Sequence, residues 1–409
     1  MPTMQETNQR ADAAAPFPES GALPALTTDS RPVFAPTPLH ALREKAAVCP
    51  VRTPAGDAAW LVTRHAEARE LLRDERLGRF HASPRTAPRY VDSPLLELLI
   101  TDDADTAREL HRQVRALLGP QFAARRMQGL KPRVTAVARA LAADLSAREQ
   151  PADLLAHFAV PYALGILHDL IGVPEAERGR CAALLAALGR VGTAGTAPAG
   201  PDALFALFRD LAAAKRDAPG DDVLSRLVAA RIPDEQTAAL ASTLLFAGLE
   251  SVASYIGLGV VLLARHDEQR EAALGAPDAM AVLVEEVLRA GKQSGSVLPR
   301  YAGEDIDVAG VTIRAGDLVL LDFALANHDE RVFDRPETFD GTRSPNPHLS
   351  FGHGVWHCIG ASLARMELAE AFTALFDRMP ALRPAVPDEQ LVTEAGRLVG
   401  GPARLPVLW

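Results

Sequence analysis

Apolar residues change their spacing along the chain, and each change marks a different kind of element. Residues 1–30 mix Ala, Pro, Thr and acidic residues without any period, so they read as a loosely ordered arm ahead of a single domain over 31–409. Between Ala47 and Val62 two short apolar pieces flank Thr53, Pro54, Ala55, Gly56 and Asp57, the pattern of a β-hairpin; Arg64 to Asp74 then reads as a helix. From Leu110 to near Ile232 apolar positions recur every three or four residues, which predicts helix through the middle of the chain. Helical spacing persists from Pro233 to His266, and at about 1.5 Å per residue such a helix, about 50 Å long, must cross the whole domain. From Glu304 to Phe323 short β-type runs alternate with glycine turns, and helix returns at Gly360–Phe376. The predicted class is mainly α with small β-sheets. Residues 192–200 are a low-complexity loop.

Composition narrows the function classes. A net charge of −9, with 48% hydrophobic and 23% charged residues, suits a globular enzyme and argues against a polyanion partner, so nucleic acid is not expected. No uninterrupted apolar run approaches the roughly 18 residues of a membrane span, and the polar N-terminus resembles no secretory leader. A cytoplasmic protein without a membrane anchor is expected. The three cysteines, Cys49, Cys181 and Cys358, lie far apart without CxxC spacing, so neither a disulfide framework nor a zinc site is indicated. Cys49 and Cys181 read as small core residues.

Cys358 has a different setting. Gly352, Gly354 and Gly360 surround it, giving a backbone that can turn sharply and approach a flat ligand, and a helix starts just beyond it. Backbone N–H groups at a helix start favour thiolate over thiol. On spacing alone three readings stand: a nucleophile with His353 or His357 as its base, an inert packed cysteine, or a haem ligand.

The stretch from Phe351 to Gly360 resembles the haem-binding signature of cytochromes P450, Phe-Gly-x-Gly-x-(His/Arg)-x-Cys-x-Gly, with Phe351, Gly352, Gly354, Cys358 and Gly360 in place. The resemblance, to the soluble bacterial class I type, extends over nearly the whole chain after the arm. It implies the triangular-prism P450 fold with a long central helix and a Cys haem loop. It also implies haem b with Cys358 as axial ligand; a thiolate pushes electron density onto the iron and favours O–O cleavage. Trp356 departs from the pattern, standing where the family has a cation that helps hold a haem propionate; its indole N–H donates one bond without charge. His111 and Arg115 on one helical face, Arg300 and His348 match the family's propionate contacts. Glu286 and Arg289 match its Glu-x-x-Arg motif, which joins a loop arginine, here Arg343, in a structural role.

Ala247, Gly248, Glu250 and Ser251 resemble the family's oxygen-activating segment, where the central helix is interrupted beside the haem. There Glu250 would feed a proton relay and Ser251, in place of the usual Thr, would steady the oxygen intermediate. A serine lacks the methyl that restricts the rotamer. By family position the substrate pocket draws on the 80–98 and 186–203 loops, Thr243, Phe246, Ser296, Val297, Leu298 and Val399, with core packing as the rival for each. A small, largely apolar secondary metabolite is implied, along with dioxygen, and electrons from NAD(P)H through a ferredoxin and its reductase. The expected reaction is hydroxylation or another two-electron oxidation. Oxidative C–C or C–N coupling, and a non-catalytic haem-thiolate sensor or carrier, are the alternatives. The substrate, the regiochemistry, the physiological ferredoxin and the oligomeric state are not legible.

Overall fold

The computed structural model describes residues 23–35, 38–97, 100–188, 202–276, 278–292, 297–395 and 400–409. Most of the arm, the 192–200 loop, Ser296, Leu398 and Val399 lie outside them.

The predicted hairpin forms from β1 (Val48–Arg52) and β2 (Ala58–Val62), paired antiparallel with Val48 opposite Val62. With β3 (Leu77–Gly78), β4 (Val297–Ala302) and β5 (Leu318–Asp322) they make one sheet in the order β1-β2-β5-β4-β3. β2 and β5 run parallel; the other pairings are antiparallel. Central β5 is Leu-Val-Leu-Leu-Asp, buried at every position because apolar clusters cover both faces of the sheet. The Gly78↔Tyr301 register places Arg79 beside Arg300, which no local pattern announces.

A three-stranded and a two-stranded sheet complete the β structure, and helices make most of the rest. The ones that matter to the site are α1 (Ala104–Leu118), α2 (Ala124–Ser146), α3 (Val160–Ile171), α4 (Asp202–Asp217), α5 (Asp234–Arg265), α6 (Ala279–Ala290) and α7 (Ala361–Arg378). Asp103 caps α1 by accepting from the Thr106 N–H. α5 runs through the domain as its spacing predicts, packed by α3, α4, α6 and α7. It is long and apolar enough to cross a bilayer, yet 72% of its most apolar stretch is buried in this protein, which accounts for its composition.

One expectation needs correcting. α5 is helical without a break from Asp234 to Arg265, so the interruption expected at Gly248 is absent. Gly248 is explained by packing instead: a Cβ there would lie 2.7 Å from Leu167 Cδ2 on α3. The missing side chain lets two helices approach closely, and that offsets its propensity cost of about 1 kcal/mol.

Candidate active site around Cys358

The loop before α7 is folded by its own backbone. Cys358 N–H donates to Phe351 O at 2.7 Å and Gly352 N–H to Leu349 O at 2.8 Å, closing the turn on itself. Gly352 and Gly354 sit at φ +68° and +61°, where a Cβ would be strained and would press on Trp356 O and Leu72 O. Cys358 is partly exposed while protein surrounds most of its side chain. Burial pushes its thiol up, and the Gly360 N–H, Arg115 and Arg365 pull it down without reversing the rise. The Gly360 N–H at the helix start thus lowers the thiol, in the direction expected from sequence, but burial outweighs it. Cys49 and Cys181 are buried, the latter pushed up to about 11 by burial, as core thiols.

Neither nearby imidazole serves the sulfur. His353 Nε2 accepts from Arg73 and Arg69 at 2.9 and 3.3 Å, and among the described residues no hydrogen bond joins His353 or His357 to Sγ. The nucleophile reading loses its base.

α1 clamps the loop from the other side. The rings of His111 and Trp356 lie 4.3 Å apart, His111 Nε2 is 3.0 Å from Val355 O, and Arg115 donates to His357 O at 2.6 Å. Arg300 is 2% exposed, its guanidinium 4.4 Å from the Trp356 ring centroid, with Arg79 at 6.0 Å from the same ring. Burial drives the pKa of both arginines down, and for Arg300 the charge of Arg79 adds to the effect. Trp356 Nε1 and Arg300 Nε are buried without hydrogen-bond partners among the described residues. Two cations and an indole N–H held this way need anions that accept hydrogen bonds. The two carboxylates of a haem fit that need. Arg79 escaped the sequence reading, because only pairing in the sheet brings it to Arg300.

His348 is placed differently from the expectation. Its Nε2 lies 3.1 Å from Glu285 Oε2, its Nδ1 accepts from Ser350 N–H, and Arg365 binds Glu285 through two nitrogens at 2.7 and 2.9 Å. Both ring nitrogens are engaged within this network; Glu285 resists burial, which raises it, and is held down at about 2 by His348 and Arg365. Glu286 and Arg289 form a buried two-bond pair at 2.7 and 2.8 Å, and Arg343 joins Glu286 at 3.1 Å. Arg289 also donates to the carbonyls of Asn327, Pro336 and Thr338, tying the chain ahead of the Cys loop to α6.

The comparisons decide the family. The sequence profile described as Cytochrome P450 matches residues 280–382. Pentalenolactone synthase from Streptomyces exfoliatus is 36% identical, over 94% of this chain and 99% of that protein. The chain belongs to the bacterial class I cytochromes P450. Mycinamicin IV hydroxylase/epoxidase from Micromonospora griseorubida is 38% identical over 90% of this P450 and 94% of the relative. The structure of substrate-free P450 PimD, a polyene macrolide antibiotic pimaricin epoxidase, superposes with a TM-score of 0.86 at 50% identity, covering 95% of this chain and 100% of that one. The P450 is thus a haem-thiolate monooxygenase, an oxidoreductase that activates dioxygen to oxidise a small molecule.

On α5, Ala247 is exposed, and Gly248, Glu250 and Ser251 are half-buried. Ser251 Oγ donates to Ala247 O at 2.6 Å, so its proton is held by the helix. Thr243 is likewise bonded back, to Ala239 O at 2.8 Å, and Phe246 is buried with Leu167, Phe208 and Leu245, the packing alternative for that residue. Val297 and Leu298 are half-buried on β4, and Leu298 helps line a cavity with Tyr90, Val91, Leu96, Ile100 and Arg300.

Proposed function

We propose that this P450 epoxidises or hydroxylates a largely apolar macrolide-type metabolite, with Cys358 as the axial thiolate of haem b. The observation that carries the haem placement is the uncompensated pair Arg79 and Arg300 around the Trp356 indole, unpartnered among the described residues and two positions before Cys358. Arg300, Arg79 and Trp356 hold the propionates, while His111 and Arg115 brace the loop that carries the sulfur. Phe351, Gly352, Gly354 and Gly360 shape that loop, and Glu286, Arg289 and Arg343 fix the chain leading into it.

When bound, the haem supplies the iron at which dioxygen is reduced with two electrons and two protons. Around it, the exposed Ala247 leaves room on α5, Glu250 holds and passes protons, and Ser251 acts only after its hydroxyl turns away from Ala247 O. Electrons come from NAD(P)H through a ferredoxin and its reductase, in the cytoplasm, and residues 31–409 act as one domain. The substrate class rests on the names of the relatives, a mycinamicin hydroxylase/epoxidase and a pimaricin epoxidase; these favour oxygen insertion over coupling or a carrier role.

Two measurements test this. Cys358→Ser should abolish the red-shifted Soret band of the reduced carbonyl complex while the protein stays folded; an unchanged spectrum refutes the ligand assignment. Given ferredoxin, reductase, NAD(P)H and isotopically labelled dioxygen, a polyene macrolide olefin should gain one labelled oxygen, and an unlabelled coupled product would refute insertion.

A further inference from the structure

Glu285 and Glu286 are neighbours on α6 with different partners. Glu286 joins the buried pair with Arg289, whereas Glu285 reaches α7 and accepts from two nitrogens of the Arg365 guanidinium, at 2.7 and 2.9 Å. Two parallel bonds fix the orientation of that guanidinium. Its Cζ stands 4.5 Å over the ring centroid of Phe351. Phe351 is in turn tied to the cysteine, because its carbonyl accepts the Cys358 N–H at 2.7 Å. His348 shares the same carboxylate, with Nε2 3.1 Å from Glu285 Oε2 and its ring 5.9 Å from that of Phe351. The Arg365 side chain is 39% exposed and that of Glu285 25%, and an ion pair this open to solvent contributes little to stability. What the pair does fix is where one cation stands: against the aromatic ring of the cysteine loop.

We propose that Arg365, held by Glu285 against Phe351, is a positioning residue that sets a positive charge on the cysteine loop and raises the one-electron reduction potential of the haem bound there. This rests on the assignment of Cys358 as axial ligand made above. Reduction from ferric to ferrous takes one electron from an external one-electron donor and leaves the site more negative by one unit. A nearby cation favours the more negative state and a nearby carboxylate opposes it. Arg365 therefore raises the potential, while Glu285 both holds Arg365 and offsets part of its charge. The direction in which Arg365 moves the Cys358 thiol, downwards, agrees with a cation that stabilises the sulfur anion.

The deciding experiment is an anaerobic dithionite titration of the substrate-free holoprotein, followed by its Soret band, with the C–O stretch of the ferrous carbonyl complex as second readout. Arg365→Met should lower the equilibrium constant for reduction about tenfold, ~59 mV for one electron. Glu285→Gln should raise it, because the amide still accepts a hydrogen bond but cancels no charge. Arg365→Lys keeps the charge and should recover more than half of the loss; a lysine variant that behaves like the methionine one overturns a role for charge. The C–O stretch should fall in Arg365→Met, where the sulfur donates more strongly, and rise in Glu285→Gln. Opposite signs in these two variants are the signature of the charge, since a loosened loop shifts both the same way. Shifts of the same sign, or potentials unchanged from the parent, overturn the proposal. If the parent itself lacks the red-shifted Soret band of the reduced carbonyl complex, the Cys358 assignment fails; if the parent shows it and the variants do not separate, the role of Arg365 alone is wrong. Should Arg365→Met not load haem, Glu285→Gln against the parent still decides.

Discussion

A single buried side chain can be costly alone and necessary in company. Arg300 is the clearest case: its guanidinium is desolvated against Trp356, Arg79 repels it, and its Nε lacks a partner. That arrangement stabilises an anion it faces and destabilises the protein without one. Arg300→Leu should therefore raise the melting temperature of the apoprotein while weakening haem retention on the order of 100-fold, the loss typical of truncating one member of a buried charged pair. Competition for haem by apomyoglobin together with calorimetry measures both; a drop in apoprotein stability would show that the charge is already compensated. The indole at Trp356 fits the same logic, since an aromatic face under two arginines supplies attraction without a formal charge.

At the scale of elements, the contact between α5 and α7 decides how firmly the cysteine loop is held. Gly259 on α5 faces Phe372 on α7 so closely that a Cβ would lie 2.1 Å from Phe372 Cζ. Phe372 is fully buried and cannot give way, so Gly259→Ala should destabilise by about 1–3 kcal/mol in chemical denaturation despite better helix propensity. A neutral effect would mean the helices are free to separate. Further along α7, Glu367 is buried with Oε1 unpartnered and is raised to about 8 by burial. The folded state then keeps a proton that the unfolded chain releases near pH 4.3, so stability falls as pH rises from there to about 8, at up to roughly 1.4 kcal/mol per pH unit. Glu367→Gln should flatten that slope and gain most at pH 8 and above. Denaturant midpoints across pH measure it; an unchanged slope would place the charge in a solvated environment.

For the whole molecule, haem is a ligand of the native state. The clustered cations beside the Cys358 loop imply that filling the site shifts the folding equilibrium by mass action. The apoprotein should melt below the holoprotein, with hydrogen-exchange protection lost first in the Cys358 loop and α1. Equal melting points would contradict the role given to Arg79 and Arg300.

Much of this was legible along the chain because it depends on local order. The hairpin, α5, α7 and the glycine-bounded loop follow from spacing and turn chemistry, and the signature around Cys358 marked the family whose fold and haem the comparisons bear out. Separation in sequence hid the rest. Arg79 meets Arg300 only through the register of β3 on β4, His348 turns to Glu285 because α6 and Arg365 meet there, and Gly248 answers to Leu167 on another helix. Periodicity specifies which face of an element is buried, but the charge a buried group feels depends on what other elements bring within a few ångströms, and only the folded chain decides that.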